Sequence, residues 1–412
     1  MSEDSGGHEA PTRRDYMKYG GAVVGGGLLA GCAGDSDSGD EGEAKNTPSS
    51  TEMPTATPTE ADATDTSYSV TMSPMGTVNF ESPPENVFTI LAHHADMVLA
   101  MGRGEDLNAI FNPELFDGLY NRVLEHVDGV SVDWADLQGS WNPAKESLYE
   151  LESDIHLADP ANVATMGNLD TADIEEVREN LAPWFGNSLS GPRDEPPEQW
   201  SNDYQYYGLW EIFEKVAQVF QEEDRYQALA TMHANVLSTI ESNLPPADER
   251  PRVARILISP SGVDEGIWAY SMNDEGFYQA HTRPMQAEDA FGDMDIDGQI
   301  DLETLAEAAP DVILRTGGMS PGANWTEIKS ELQEDPVAGE IPAVKNGRVH
   351  PLAVRFGGPI MNLFQLEMSA KALYPERFGA WPIYDGGAYP EFSDADQLFD
   401  RQRAADIING DI

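Results

Sequence analysis

A single cysteine, Cys32, stands in 412 residues. That excludes an intramolecular disulfide framework and any cysteine-cluster metal site. Basic side chains are also scarce, 24 Lys and Arg against 73 Asp and Glu, for a formal net charge of −49. Lysine is the rarer of the two, with 7 Lys against 17 Arg. A chain this poor in positive charge is no nucleic-acid binder, which needs Lys and Arg against phosphate. Beyond the first thirty residues no apolar run approaches the ~18 residues that mark a membrane span. What is present is a 40% hydrophobic content, enough for a sizeable core. The length fits two or three domains. The acid excess suits a protein kept soluble in strong brine, where salt screens self-repulsion.

Residues 1–31 read as an address. Thr12 to Lys18, with Arg13 and Arg14, resembles a twin-arginine export signal, and Gly20 to Gly31 supplies a short, weakly apolar stretch. Leu29-Ala30-Gly31-Cys32 resembles a lipobox, which would make Cys32 the lipidated mature N-terminus. A diacylglycerol-type anchor holds firmly where one acyl chain does not. The run Gly25-Gly26-Gly27 is no nucleotide loop, because no strand precedes it. Residues 32–67 are Asp, Glu, Ser, Thr, Pro and Gly with almost no large apolar residue, the composition of a disordered spacer. Its Thr/Pro stretch at 55–59 is also suited to O-glycans.

From residue 68 the pattern is α/β. Val87 to Leu91, Leu107 to Phe111 and Asp154 to Ala158 read as strands, with helices over Ala95 to Met101 and Ala172 to Asn180. From Tyr207 to Leu244 the period becomes helical throughout, and its second half forms a rod of about 22 residues ended by Pro245-Pro246. Strands then return at Val253 to Ser259, Asp311 to Leu314 and Val349 to Val354. They alternate with helices at Leu302 to Ala309, Trp325 to Leu332 and Pro359 to Leu373. The expected fold is therefore α/β: two Rossmann-like lobes, 68–221 and 247–379, joined by one long rigid helix over 222–246, with a ligand cleft between them. Residues 380–412 read as a polar extension carrying one amphipathic helix near 394–408.

Four segments carry a family resemblance. They are Pro84 to Val87 followed by Asp96 to Gly102, Ile300 to Leu305 with Ala309 to Ile313, Ala343 to Val349, and Leu373 to Phe378. Together they resemble the helical-backbone substrate-binding lipoproteins of ABC importers, here of haloarchaeal type, over roughly residues 68–379. The first-lobe motif is degraded to Glu152-Ser153-Asp154-Ile155, and the extension after 380 has no counterpart in the basic pattern. The resemblance implies a monomeric extracytoplasmic carrier, anchored to the outer face of the membrane through Cys32. It would deliver a ferric siderophore, cobalamin, haem or a bare transition metal to a permease and its ATPase. It would carry no covalent cofactor besides the lipid on Cys32. It also implies one docking acid per lobe. Glu303 fits the second lobe, while Glu175 and Glu176 are equal choices in the first.

Ligands of open α/β sheets bind beyond the carboxyl ends of the strands. The residues there are His93 and His94 after the first strand, Trp141 in a first-lobe loop, Trp268 and Tyr270 after the 253–259 strand, His281 and Arg283 in the following loop, Arg315, and Arg355. Arg offers paired donors to carboxylate or catecholate oxygens, and Trp and Tyr offer flat faces. This combination favours a bulky anionic chelate, best a ferric siderophore, over a bare cation. His93 and His281 are the candidates for metal ligation. His233 reads as packing on the long helix, and His126, His156 and His350 as structural. No Gly-x-Ser-x-Gly elbow, phosphate loop or His-Glu-x-x-His pair supports an enzyme. A metal-dependent hydrolase using His93 and His281 is the rival of another class, together with a binding subunit that feeds a sensor.

Overall fold

The computed structural model describes residues 67–294, 296 and 298–412. The export signal with Arg13 and Arg14, the lipobox with Cys32, and the spacer up to residue 66 lie outside the described residues. The chain opens on a hairpin that the periodicity did not reveal: β1 (Tyr68–Met72) pairs antiparallel with β2 (Gly76–Phe80).

The first lobe is built on a parallel four-stranded sheet of order β5-β4-β3-β6. Its strands are β3 (Val87–Thr89), β4 (Leu107–Ile110), β5 (Gln138–Gly139) and β6 (Ile155–Leu157). β3 and β6 are buried along their whole length, as a parallel sheet covered on both faces requires, which is why they read as continuous apolar runs. Five helices cover this sheet: α1 (Ala92–Ala100), α2 (Pro113–Leu124), α3 (Lys145–Leu151), α4 (Pro160–Met166) and α5 (Thr171–Asn180). Side-chain caps start three of them. Asn112 accepts from the Leu115 N–H, Asp159 from Ala161 and Asn162, and Asp170 forms a capping box with Asp173.

Two helices follow. α6 (Leu209–Phe220) ends where Gln221 turns left-handed at φ 55°, and α7 runs over Glu223–Asn243. At 1.5 Å per residue, the 21 residues of α7 span about 32 Å. Only Leu229, Val236 and Ile240 of α7 are buried, so it lies as a rod on the surface, held by a narrow apolar edge.

The second lobe carries a mixed sheet of order β10-β8-β7-β11-β12, with β9 also pairing with β7. Its strands are β7 (Arg252–Ile258), β8 (Ile267–Tyr270), β9 (Glu288–Asp289), β10 (Gln299–Ile300), β11 (Val312–Arg315) and β12 (Val349–Pro351). β8 runs antiparallel to both β7 and β10, a departure from the mainly parallel sheet the pattern suggested. Helices α8 (Leu302–Ala308), α9 (Trp325–Glu334) and α10 (Pro359–Leu373) accompany it, and α11 (Arg401–Asn409) closes the chain.

All fifteen residues of α10 are buried, including Asn362, Gln365, Glu367 and Lys371. A helix apolar on every side belongs in an interior. α10 lies where the lobes meet, packed against α1, α2, α6 and α7. One apolar core accordingly runs through both lobes, and a smaller cluster around Phe88, Ile90 and Trp184 fills the far side of the first sheet. The architecture is thus α/β with two lobes and long helices between them. The lobes touch along a packed seam: Pro321 leaves no room for a Cβ at Gly118, nor does Tyr278 at Gly191.

Candidate functional site at the lobe seam

β3 delivers the chain into α1, so His93 and His94 sit in the first turn of a helix. In a helix, neighbouring side chains lie about 100° apart. Their rings are 4.0 Å apart between centroids, and His93 lies 4.9 Å from Phe277 of the second lobe. Both are fully buried, and none of their four ring nitrogens has a hydrogen-bond partner. Burial holds His94 at about 3 and pushes His93 well below its ordinary value, with His94 adding to the effect.

Two residues further along α1, Asp96 is the tie across the seam. Its carboxylate accepts from the N–H groups of Gly358 (3.1 Å), Ile360 (2.9 Å) and Met361 (3.0 Å), and from the Tyr120 hydroxyl (3.0 Å). A first-lobe side chain therefore caps the N-terminus of the second lobe's α10. Burial pushes the Asp96 carboxyl up to about 6 against the pull of these four donors.

On the second lobe, alternation along β7 and β8 puts Arg255, Trp268 and Tyr270 on one face, with Arg255 opposite Tyr270 in register. The guanidinium of Arg255 stands 5.8 Å from the Tyr270 ring centroid and that of Arg355 stands 5.0 Å from it. Arg355 also lies 5.2 Å over Tyr278. Arg255 is fully buried. Its Nη1 donates to the Ser271 carbonyl (3.4 Å), while Nε and Nη2 have no partner. Burial, and then the neighbouring Arg355, lower it to about 10. His281 is buried close by with Nε2 unpartnered, and burial together with Arg255 keeps it neutral.

Rings continue from this pair into the first lobe. Tyr278 meets Phe356 (6.1 Å), Phe356 meets Phe116 (6.4 Å), Phe116 meets Phe111 (6.3 Å), and Phe111 meets Trp141 (4.8 Å). Trp141 ends the series at 40% exposure, so the aromatic path runs from the buried Arg255 and half-buried Arg355 to solvent.

The structure therefore brings Tyr270 and Arg355 together with His281 close to Arg255, places His93 against Phe277 with His94 beside it, and leaves Trp141 exposed at the end of the ring series. Trp268 lies at the start of β8, half-buried beside Gly266, and Tyr270 at its end, so both belong to a strand and not to a loop. Arg315 is apart: its β11 register aligns it with Ile256, on the sheet face opposite Arg255, where Nη2 donates to the Ile258 carbonyl (3.1 Å). Burial lowers it to about 10. Arg283 is also apart. It lies on a flanking groove of about 720 Å³ lined by Tyr206, Tyr207, Trp210 and His233, beside the Arg193–Glu275 ion pair (2.9 Å). Among the described residues no group of three or more His, Cys, Asp or Glu is placed to hold a metal, and His93 and His281 are not brought into one. Glu303 is exposed in the first turn of α8.

Sequence reasoning passed over Arg255, Asp96 and Phe356. Arg255 did leave a signal, as the one charged residue inside the apolar run Val253 to Ile258. The Phe277 and Tyr278 contacts left none.

The sealed histidines have a measurable consequence. Between about pH 6.5 and 3 the unfolded chain binds a proton at His94 that the native ring refuses. Stability is therefore complete above pH 6.5 and falls as the pH drops below it. Asp96 works in the opposite sense between about 3.8 and 6, equally in any His94 variant. From about pH 7 to 5, wild type should lose about 2 kcal/mol more than His94→Phe in chemical denaturation. Parallel pH profiles would show that His94 is not sealed.

A family model described as "Periplasmic binding protein" matches residues 162–353. Solved structures share the fold. The iron uptake ABC transporter substrate-binding protein PiuA from Streptococcus pneumoniae is 16% identical, with a TM-score of 0.52 over 74% of this chain and 98% of its own. A periplasmic binding protein from Veillonella parvula is 17% identical, with a TM-score of 0.53 over 75% and 91%. The petrobactin-binding protein YclQ from Bacillus subtilis is 14% identical, with a TM-score of 0.51 over 75% and 99%. No curated protein matches the chain in sequence. The family match over 162–353 and these structural likenesses agree on one point, a bilobed fold of the periplasmic-binding-protein type.

Proposed function

We propose that the protein is the extracytoplasmic solute-binding component of an ABC importer, and that it captures a bulky anionic metal chelate, best a ferric siderophore. The observation that carries this reading is the Arg255–Tyr270–Arg355 arrangement. In a chain of net charge −49, two guanidiniums flank one ring on the aromatic path across the seam, and the buried one has two nitrogens without partners. An unpartnered buried cation is costly, and an anionic ligand is what relieves the cost. Catecholate or carboxylate oxygens accept from Arg in pairs, and Phe356, Phe111 and Trp141 give a large chelate flat apolar walls. The iron-uptake and petrobactin-binding proteins of the same fold add support. Haem and cobalamin also offer acceptors and flat surfaces and are the nearest alternatives. A bare-metal carrier has less support, because the described residues gather no ligand set.

In this reading Cys32 carries the lipid anchor and Glu303 faces the permease. The acid excess keeps the lobes soluble in brine. The test is a thermal-shift series from low to multimolar salt with ferric catecholates, ferric hydroxamates, haem, cobalamin and divalent metals. A ferric chelate at a thousand times its dissociation constant should stabilise the protein by about 4 kcal/mol. A response to divalent metals alone would replace the chelate reading with a bare-metal one, and a response to none would remove the carrier reading.

A further inference from the structure

The chain beyond Phe378 does not trail away from the second lobe. It is rooted there first. Trp325 Nε1 donates to the Tyr384 carbonyl (2.8 Å), and Lys371 Nζ donates to the carbonyls of Phe378 (2.7 Å) and Asp396 (2.6 Å). Glu367, buried in α10, gathers three donors from this segment: the Tyr389 hydroxyl (2.7 Å), the Leu398 N–H (2.7 Å) and Arg401 Nη2 (2.6 Å). The rings of Trp381, Tyr389, Phe392 and Phe399 pack around that centre. A buried carboxylate with this many donors fixes the segment's path.

The same segment then grips the first lobe at the end of α2. The Tyr389 peptide is held from both sides: its N–H donates to the Arg122 carbonyl (2.8 Å), and its carbonyl accepts from His126 Nε2 (2.8 Å). The carbonyl fixes the His126 tautomer with its proton on Nε2. At the far end α11 packs on α7, and Asn409 Nδ2 donates to the Asp128 carbonyl (2.8 Å). Arg122 Nη1 also donates to the Tyr384 hydroxyl (3.4 Å), and the Glu391 carboxylate lies 3.7 Å from His126 Nδ1, so several attachments on the first lobe are joined to several on the second by one stretch of chain.

We propose that residues 380–410 are a strap fastening the two lobes, and that the seam parts only when the Tyr389 and Asn409 contacts to the first lobe let go. This goes beyond the functional reading and is independent of which ligand the seam takes. The strap is held by Glu367 and Lys371 in the later turns of α10, whereas Asp96 caps its first turn, so the two ties resist separation together. Ligand entry at the seam then depends on the strap.

Native-state hydrogen exchange on the full mature chain tests it, with Asn409→Ala, His126→Leu and the double variant. The amides of Gly358, Ile360 and Met361, whose acceptor lies across the seam, report lobe separation. In the double variant they and the Tyr389 amide should exchange about tenfold faster or more. The Ile313 amide, inside the second sheet, should keep its rate. Asn409→Ala removes one exposed side chain and leaves folding intact, so it should show the same pattern at smaller amplitude even if the double variant does not fold. A faster Tyr389 amide with unchanged seam amides would overturn the strap, as would an unchanged Tyr389 amide or an equal acceleration at Ile313.

Discussion

Arg255→Met should yield a more stable protein that captures an anionic chelate more weakly. The wild-type guanidinium is fully buried, leaves Nε and Nη2 unpartnered, and stands beside a second guanidinium, Arg355. Each of these facts costs folding free energy. Replacing buried charge by an apolar side chain of similar volume commonly gains about 1–4 kcal/mol, and methionine adapts to irregular space. The same change removes the donors the ligand would use. Charge-assisted hydrogen bonds are worth about 1.5–3 kcal/mol each, so the loss of even one should lower affinity about tenfold to a hundredfold. Denaturation midpoint and ligand titration measured on one preparation give the answer. A less stable variant with unchanged affinity would make Arg255 a structural residue. The opposite signs of the two effects are the mark of a site held at the expense of stability.

Asp96→Ala should be the most damaging single substitution in the seam. It strands three backbone N–H groups at the start of α10 and the Tyr120 hydroxyl, all in a region closed to solvent. Unmet buried donors cost about 1–3 kcal/mol each, partly relieved by relaxation, so a loss of about 3–5 kcal/mol is expected in urea unfolding. Amides within β7 and β11 should stay protected under native conditions, because those strands hold one another. A loss under about 1 kcal/mol would show that the lobes are joined without this cap.

Much of the chain was legible from periodicity. Parallel strands covered on both faces leave continuous apolar runs, so β3, β6, β7 and β11 stood out at Val87, Ile155, Val253 and Val312. Helix α7 stood out because its apolar edge repeats at helical spacing between Glu222 and the double proline. The hairpin at 68–80 and strand β8 were missed, since short half-exposed strands alternate too briefly to separate from loop. The final segment looked polar because its buried Trp381, Tyr384, Tyr389 and Phe399 are scattered without a period.

The candidate site was legible only in part. Placing residues after strands located His93, Tyr270 and Arg355, but it treated Arg315 and Arg355 alike. The two are separated by a register that alternates faces, and pairing partners are not written in a single strand. Arg255 was visible as a charge in an apolar strand, yet its meaning came from Tyr270 and Arg355, which lie 15 and 100 residues away.

Composition and local pattern by themselves settled the acidic character, the α/β class, the main alternation of strands and helices and the rod between two halves, because charge, period and chain stops act over a few residues. Only the tertiary structure decided that the halves close on a packed seam, that Asp96 caps a helix more than 260 residues later, and that the last thirty residues bind both lobes. Those contacts depend on which faces meet once two sheets and a buried helix have packed, and hydrogen-bond partners so far apart in sequence leave no local trace.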